Sequence, residues 1–377
     1  MLYLFWIAVA FLTYTVAGYP LALWLFSFVK VRTHRKEEIR PTVSLIIVAF
    51  NEAQAIESKI RNSLELFYPR DKFEIIVALD GSTDGTESIV NTYTDKGIKL
   101  VQLPERRGKH HAQMVARDST QGEILVFTDA SVHLEPEAIE RIVANFADEA
   151  IGCVSSEDAI VGDRRRWIGE GTYIQMEMGL RRLESRVNSL VSMSGSFFAA
   201  RRSLCAKWHS HQSSDFFIAL HAAAQGLRAI VDTQCRGHYS ILHSDSAELD
   251  RKVRTIVHGL DVFFSHLNLA NPLRHGFFSF QLISHKFFRW LLPFAFMAIL
   301  VSNFFLWNAG TSYKVCLILQ ACFYGSGLLA LSIHQLARIK PFKLAGFFIV
   351  GASATIVAWL KFCSGEKYVT WQPSKRI

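Results

Sequence analysis

The sequence contains no C-x-x-C pair. Its six cysteines (Cys153, Cys205, Cys235, Cys316, Cys322 and Cys363) are scattered, which excludes the spacing of a zinc finger or ribbon and offers no disulfide framework. Free, dispersed thiols suit a reducing compartment. There is no G-x-x-x-x-G-K-[ST] phosphate loop, no H-E-x-x-H and no G-x-S-x-G. P-loop hydrolysis, zinc-peptidase chemistry and the serine-hydrolase elbow are therefore not expected. His110-His111 and His209-Ser210-His211 have neither helical ligand spacing nor a cysteine partner. No internal repeat is present, and acidic residues are the scarcer charge: 33 Asp and Glu against 41 Lys and Arg, a net +8. No stacking or groove-reading motif accompanies that basic excess, so nucleic-acid binding is not expected.

Charge is also missing from long stretches. From Leu2 to Val29 there is no Lys, Arg, Asp or Glu, and about 20 apolar residues suffice to cross a bilayer. A cleaved signal would have a basic start and a shorter apolar run, so residues 1–29 are expected to be a retained transmembrane helix with Tyr14, Tyr19 and Trp24 as interface anchors. The cluster Lys30, Arg32, Arg35, Lys36 and Arg40 follows, and the positive-inside rule puts it, with the domain behind it, in the cytosol. Apolar character returns after Arg274. Residues 277–290 mix Phe and Leu with Gln281, His285, Lys286 and Arg289 and read as an interfacial amphipathic helix. Residues 291–363 hold about three further transmembrane or re-entrant helices. Four full spans would leave the tail, 364–377, outside, whereas Lys361, Lys367, Lys375 and Arg376 favour the inside. Either the last segment is re-entrant or the charge rule fails here. Half the residues are hydrophobic and 29 are Phe, in keeping with an integral protein of a plasma or inner membrane.

Between the apolar ends, residues 41–275 have the composition of a soluble α/β domain. Val43 to Ala49 (VSLIIVA) and Phe73 to Leu79 (FEIIVAL) are continuous apolar, β-branched runs, as strands buried on both faces require. Ile98 to Leu103 and Ile124 to Thr128 follow, with helical patterns between. Alternation of this kind predicts a doubly wound, mostly parallel sheet, with ligands beyond the carboxyl ends of the strands. The polar residues there are Asn51-Glu52, then Asp80-Gly-Ser-Thr-Asp84-Gly-Thr86, then Asp129-Ala-Ser131. Carboxylates in such turns serve equally as helix N-caps or as acceptors for a base, a ribose or a hard cation.

The order VSLIIVAFNE, DGSTDGT, Arg107-Gly-Lys-His-His-Ala112 and FTDAS resembles the nucleotide-binding half of the family 2 inverting glycosyltransferases. SGSFFAARR (Ser194 to Arg202) and SSDFFIALHAAAQGLRAIV are similar to the family's acceptor-side segments. Asp250-Arg-Lys-Val-Arg254 with Gly259, and QLISHKFFRW, resemble its membrane-bound synthase-type branch. The resemblance spans nearly the whole chain in the expected order and implies a GT-A fold. It implies that Glu52 and Asp80 contact the nucleoside of a UDP- or GDP-sugar and that Lys109 lies near the donor. Asp129 would hold a divalent cation (Mg2+ or Mn2+) at the diphosphate. Asp215 would be the catalytic base, and Arg251 and Arg254 would bind the leaving diphosphate. An inverting transfer needs one base and electrostatic help for the leaving group, which these residue types supply. Asp215 as a helix N-cap is the competing account.

Two departures bear on these expectations. No literal D-x-D occurs, since Asp129-Ala-Ser131 stands in its place, which puts metal use in question. Q-x-x-R-W is replaced by Arg251-Lys-Val-Arg254-Thr255, which weakens the case for processive polymerisation. Trp371 reads better as an interface residue than as a stacking platform. The expected function is sugar transfer onto a glycan in exopolysaccharide or cell-surface glycan synthesis. Single-sugar transfer to a polyprenyl phosphate or other lipid stays open, as does an inactive membrane scaffold. Three or four C-terminal spans are few for a channel within one chain, which leaves room for a homo-oligomer or an export partner.

Overall fold

The structure is a computed structural model that describes residues 1–161, 170–205, 208–240, 245–333 and 335–369. Trp371 and the end of the tail therefore lie outside the described residues. Strands β1 (Val43–Ala49), β2 (Phe73–Asp80), β3 (Ile98–Leu103), β4 (Ile124–Asp129), β5 (His133–Leu134), β6 (Ile151–Val161), β7 (Phe197–Arg201) and β8 (Arg228–Ser240) form one sheet ordered β3-β2-β1-β4-β7-β6-β8-β5. β1 pairs in parallel with β2 and β4, and β2 with β3. β7 then reverses direction, antiparallel to both β4 and β6. β6 is parallel to β8, and the short β5 closes the edge antiparallel to β8.

The continuous apolar runs of β1 and β2 are explained by cover on both sides. Successive side chains of a strand point to opposite faces. Leu45 and Ile47 join a core with Ile56, Ile60, Ile139 and Ile142, while Ile46 and Val48 pack with Ala112, Ala116, Phe198 and Phe216. All seven residues of β1 are buried.

Among the described residues, four helical runs are long and apolar enough to cross a membrane: Leu2–Val29, Phe277–Phe305, Thr311–Ser332 and Lys340–Cys363. The N-terminal run lies antiparallel to Phe277–Phe305, with Phe26 against Phe277 and Phe11 against Phe288. Both contain a π-helical turn, at Tyr14–Gly18 and Ile283–Phe287, and the two turns meet where the Tyr14 hydroxyl lies 2.7 Å from Ser284 Oγ.

The segment expected to lie flat over 277–290 continues without a break into the following helix. Its polar residues answer to protein rather than to headgroups. Gln281 and His285 are fully buried against the Glu170–Val187 helix. Gln281 Nε2 donates to Ser189 O at 3.1 Å. His285 Nδ1 lies 2.8 Å from Glu184 Oε1, and the Tyr19 hydroxyl donates to that same oxygen at 2.5 Å. Glu177 in turn binds Arg289 at 2.7 Å. This buried network ties both membrane-facing ends of the chain to one helix of the domain.

Glu184→Leu leaves His285 Nδ1 and the Tyr19 hydroxyl without their acceptor, and breaking a buried charged network of this type costs about 3–5 kcal/mol. Thermal unfolding in detergent should show a clearly lowered midpoint, and an unchanged midpoint would mean the network does not hold the junction.

Candidate active site

The sequence places polar residues at the ends of three neighbouring strands, and the sheet order brings those ends side by side. After β1, Asn51 takes a positive φ of 53°, a conformation asparagine tolerates better than most residues. There it is stitched to the loop after β2. Asn51 Oδ1 accepts from the Thr83 amide at 2.8 Å, the Glu52 amide donates to Thr86 Oγ1 at 3.0 Å, and the Ala53 amide donates to Asp84 Oδ2 at 3.0 Å. Burial alone would raise the Asp84 carboxyl, but hydrogen bonds from the Thr86 hydroxyl and the Ala53 and Thr86 amides outweigh it and hold it below the usual range. Asp84 is thus a staple between two loops, and Glu52, in the first of them, is buried.

Asp80, fully buried at the end of β2, receives the backbone of the basic loop. Its Oδ1 accepts from the Arg107 amide at 2.7 Å and its Oδ2 from the Gly108 amide at 2.8 Å. The next residue has to be glycine, since at Gly81, with φ +68°, a Cβ would come 2.7 Å from the Arg106 amide nitrogen. The Arg106 guanidinium lies over the Phe50 ring at 3.8 Å, and its Nε and Nη2 are buried with no hydrogen-bond partner.

Lys109 begins the Lys109–Asp118 helix and reaches across to β4. Its Nζ lies 2.5 Å from Asp129 Oδ1 and donates to the Gly195 carbonyl at 3.0 Å. Gly195 also faces Asp215, whose carboxyl carbon would lie 3.5 Å from a Cβ at that glycine. The flanking serines are fixed from below, with Ser194 and Ser196 hydroxyls donating to Asp158 Oδ1 at 2.6 and 2.7 Å. Asp215 lies in the first turn of the Ser214–Ala224 helix, whose N-cap is Ser213, so capping does not account for it. Withdrawal from water raises its carboxyl above the usual range, against the pull of Lys109, Lys286 and Arg181.

Arg251 and Arg254 share the Asp245–Ser265 helix, far along the chain yet close to the basic loop: the His258 ring packs on His110 with centroids 5.4 Å apart. Burial, then the neighbouring Arg251 and Arg106, depress the Arg254 guanidinium. His110 is held well below its ordinary value by burial, His258 and Lys109, so it is neutral near pH 7. Arg106, Lys109, Arg251 and Arg254 make one flank of the site strongly positive, which is what a diphosphate requires.

Among the described residues no three His, Cys, Asp or Glu side chains converge as a metal cage. Asp129 is a single carboxylate, about one-third exposed. A hard divalent cation that keeps water and takes phosphate oxygens from a substrate needs no more than one or two carboxylates, so Asp129 fits such an ion.

Two residues were missed from sequence. Arg106 had no signal beyond membership of a basic loop. Lys59 had one, since with Ile56, Ile60 and Ser63 it occupies the apolar face of an amphipathic helix. It is fully buried, and its Nζ donates to Thr128 Oγ1 at 3.1 Å and to the Val132 carbonyl at 2.6 Å, bracing the turn that carries Asp129.

Burial lowers the Lys59 ammonium from 10.5 to about 7. Between those values the unfolded chain binds the extra proton, so stability rises as pH climbs from about 7 towards 10.5, and below 7 the burial penalty is fully present. Lys59→Met removes this dependence. The denaturant midpoint of wild type relative to Lys59→Met should therefore increase from pH 7 to pH 10, and a flat difference would show that Lys59 does not titrate this way.

Known proteins supply the comparison. Residues 44–208 match the family model of glycosyl transferase family 2. A glycosyltransferase of Haloferax volcanii is 36% identical over 134 residues, 33% of this chain and 21% of that protein. A beta-monoglucosyldiacylglycerol synthase of Nostoc sp. is 26% identical over 194 residues, 48% of this chain and 42% of the relative. The chain thus spans less than half the length of these curated relatives. Among solved structures, a mannosyltransferase from Pyrobaculum calidifontis in complex with GDP-Man and Mn2+ superposes with a TM-score of 0.72 at 25% identity, covering 97% of this chain and 100% of that one. Residues 44–208 are thus similar to glycosyl transferase family 2, and the sheet has the GT-A fold.

Proposed function

We propose that this protein is a membrane-bound inverting glycosyltransferase. It takes a hexosyl group from a nucleotide-sugar donor and passes it to an acceptor hydroxyl at the membrane surface, on a lipid or lipid-linked glycan that serves cell-surface glycan or glycolipid synthesis. The observation that carries this reading is the grouping of Asp215, with its raised carboxyl, and the Lys109–Asp129 pair around Gly195. A lipid-borne acceptor is supported by the Lys286 ammonium lying 5.6 Å from the Phe216 ring, which sets the Asp215 helix against the Phe277–Phe305 run. The monoglucosyldiacylglycerol synthase among the relatives supports it too. The basic cluster after Val29 favours a cytosolic catalytic domain.

In the proposed reaction the acceptor oxygen bonds to the anomeric carbon as the carbon–oxygen bond to the diphosphate breaks. The acceptor proton passes to Asp215, and the electron pair leaves with the nucleoside diphosphate. Glu52 and Asp80 form the nucleoside end, Asp80 by holding the basic loop in place. Lys109, Arg251 and Arg254 hold the departing diphosphate. Asp129 would hold a divalent cation, Mg2+ or Mn2+ as in the GDP-Man-bound neighbour, which supplies charge neutralisation at the leaving group. The donor is a GDP- or UDP-sugar.

Release of nucleoside diphosphate by purified membranes, over a panel of UDP- and GDP-sugars, tests this. Asp215→Asn should lose about 10²–10⁴-fold in turnover while donor affinity is kept, and turnover within a few-fold of wild type would remove Asp215 as the base. Because the base must be unprotonated, turnover should rise with pH through a limb above the ordinary carboxylate value of 3.8. Chelation should abolish turnover and added Mg2+ or Mn2+ restore it, whereas indifference to chelator would leave the diphosphate to Lys109, Arg251 and Arg254 alone.

A further inference from the structure

Length and composition make Lys340–Cys363, at 24 residues, a candidate span. At ~1.5 Å per residue it is about 36 Å long, enough for a hydrocarbon core of about 30 Å. Its neighbours argue against a crossing. Phe347, early in the helix, packs on Tyr173 of the Glu170–Val187 helix with ring centroids 6.3 Å apart, and Lys252 Nζ lies 4.7 Å from its centroid. Further along, Ala354 and Ala358 pack with Val253 and Val257. Near the end, Phe362 stacks on Phe264 with centroids 5.1 Å apart.

The helix therefore runs alongside Asp245–Ser265, in the same direction, from Lys252 to Phe264. Between residues 347 and 362 it travels about 22 Å without leaving that neighbour. Asp245–Ser265 carries Asp250, Arg251, Lys252 and Arg254, whose charges bar this part of it from hydrocarbon. A helix that accompanies it over this distance shares its depth.

We infer that Lys340–Cys363 lies in the plane of the membrane–water interface, on the catalytic domain's side, with a lipid headgroup layer as the partner of its outer face. Its other contacts agree. Trp359 Nε1 donates to the Trp290 carbonyl at 3.0 Å. The Phe348 ring meets Phe296 at 4.6 Å and Phe323 at 5.3 Å. A Cβ on Gly327 would come 2.9 Å from the Ala345 carbonyl oxygen, so the first turns of Lys340–Cys363 rest on inner turns of the two neighbouring spanning helices. On the side turned away from Asp245–Ser265 the exposed Leu360 dips towards the acyl chains, while Lys340 and Lys361, nearer the side turned towards it, reach the phosphates.

The chain then crosses the bilayer three times, and its tail stays with the catalytic domain. Tyr368 is where such a tail should be, its carbonyl 2.9 Å from His258 Nε2. The charge conflict in the sequence disappears with it. Lys30, Arg32, Arg35, Lys36, Arg338, Lys340, Lys343, Lys361 and Lys367 all belong to one side, and the opposite connection, 306–310, has no charged residue. The helix bearing Arg251 and Arg254 is thereby pinned at headgroup level, where a lipid-borne acceptor arrives.

The test needs no activity, so it stands apart from the proposed reaction. In full-length protein with Cys316, Cys322 and Cys363 replaced by serine, single cysteines are placed at the exposed Ser119, Asn308 and Ser364. Membrane-impermeant maleimide is applied to sealed vesicles of both orientations. Ser364→Cys should react from the same face as Ser119→Cys, and Asn308→Cys from the opposite face. Reaction of Ser364→Cys together with Asn308→Cys would overturn the proposal. Spin-label power saturation at Ser353→Cys is independent of labelling yield. A depth matching that of Leu360→Cys, two turns further along the same face, supports the in-plane helix, and depths that differ by about 10 Å overturn it.

Discussion

Lys109 is the residue on which the site's assembly depends. Its ammonium contacts Asp129 at the end of β4 and the Gly195 carbonyl in the loop before β7, so one cation joins the parallel half of the sheet to the antiparallel half. Coulomb attraction at this separation is strong where water is partly excluded, and a carbonyl and a carboxylate are both acceptors that an ammonium satisfies at once. Asp215 sits across the same glycine. The distance between the donor-side carboxylate and the carboxylate assigned as base is thereby set by a single side chain and one loop. That loop is rigid because Asp158 holds both of its serines.

A second constraint comes from the membrane side. Buried polar groups require partners, and at Tyr19, Glu177, Glu184, His285 and Arg289 those partners come from three separate segments of the chain. The first span, the helix Glu170–Val187 and the run Phe277–Phe305 can satisfy one another only in this arrangement. The same Glu170–Val187 helix carries Arg181, whose charge acts on Asp215. Docking of the membrane helices and the electrostatics of the site therefore share a structural element.

The residues picked from the sequence fall into two groups by how they were legible. Asp80, Asp129, Glu52 and Asp84 stand immediately after apolar β-branched runs, where a doubly wound sheet exposes its strand ends. Their grouping followed from strand order, which alternation of strands and helices constrains. Arg251 and Arg254 could be placed on one helix face from their i, i+3 spacing. That this face meets Arg106 and His110 was not readable, because the contact joins segments more than a hundred residues apart. Gln281 and His285 misled for a related reason: a polar stripe on an apolar helix looks the same whether it meets headgroups or a buried glutamate.

Sequence alone determined the alternation of strands and helices, the motif order, the basic loop and the apolar length of the terminal helices, since these rest on local periodicity and composition. Tertiary structure decided which carboxylate became a staple, which lysine was driven under the Asp129 turn, and which partners the polar stripe met. It also laid the final apolar helix against a charged neighbour. Hydropathy measures only a helix's own affinity for lipid, whereas its depth is set by what it packs against, and that is a property of the folded chain.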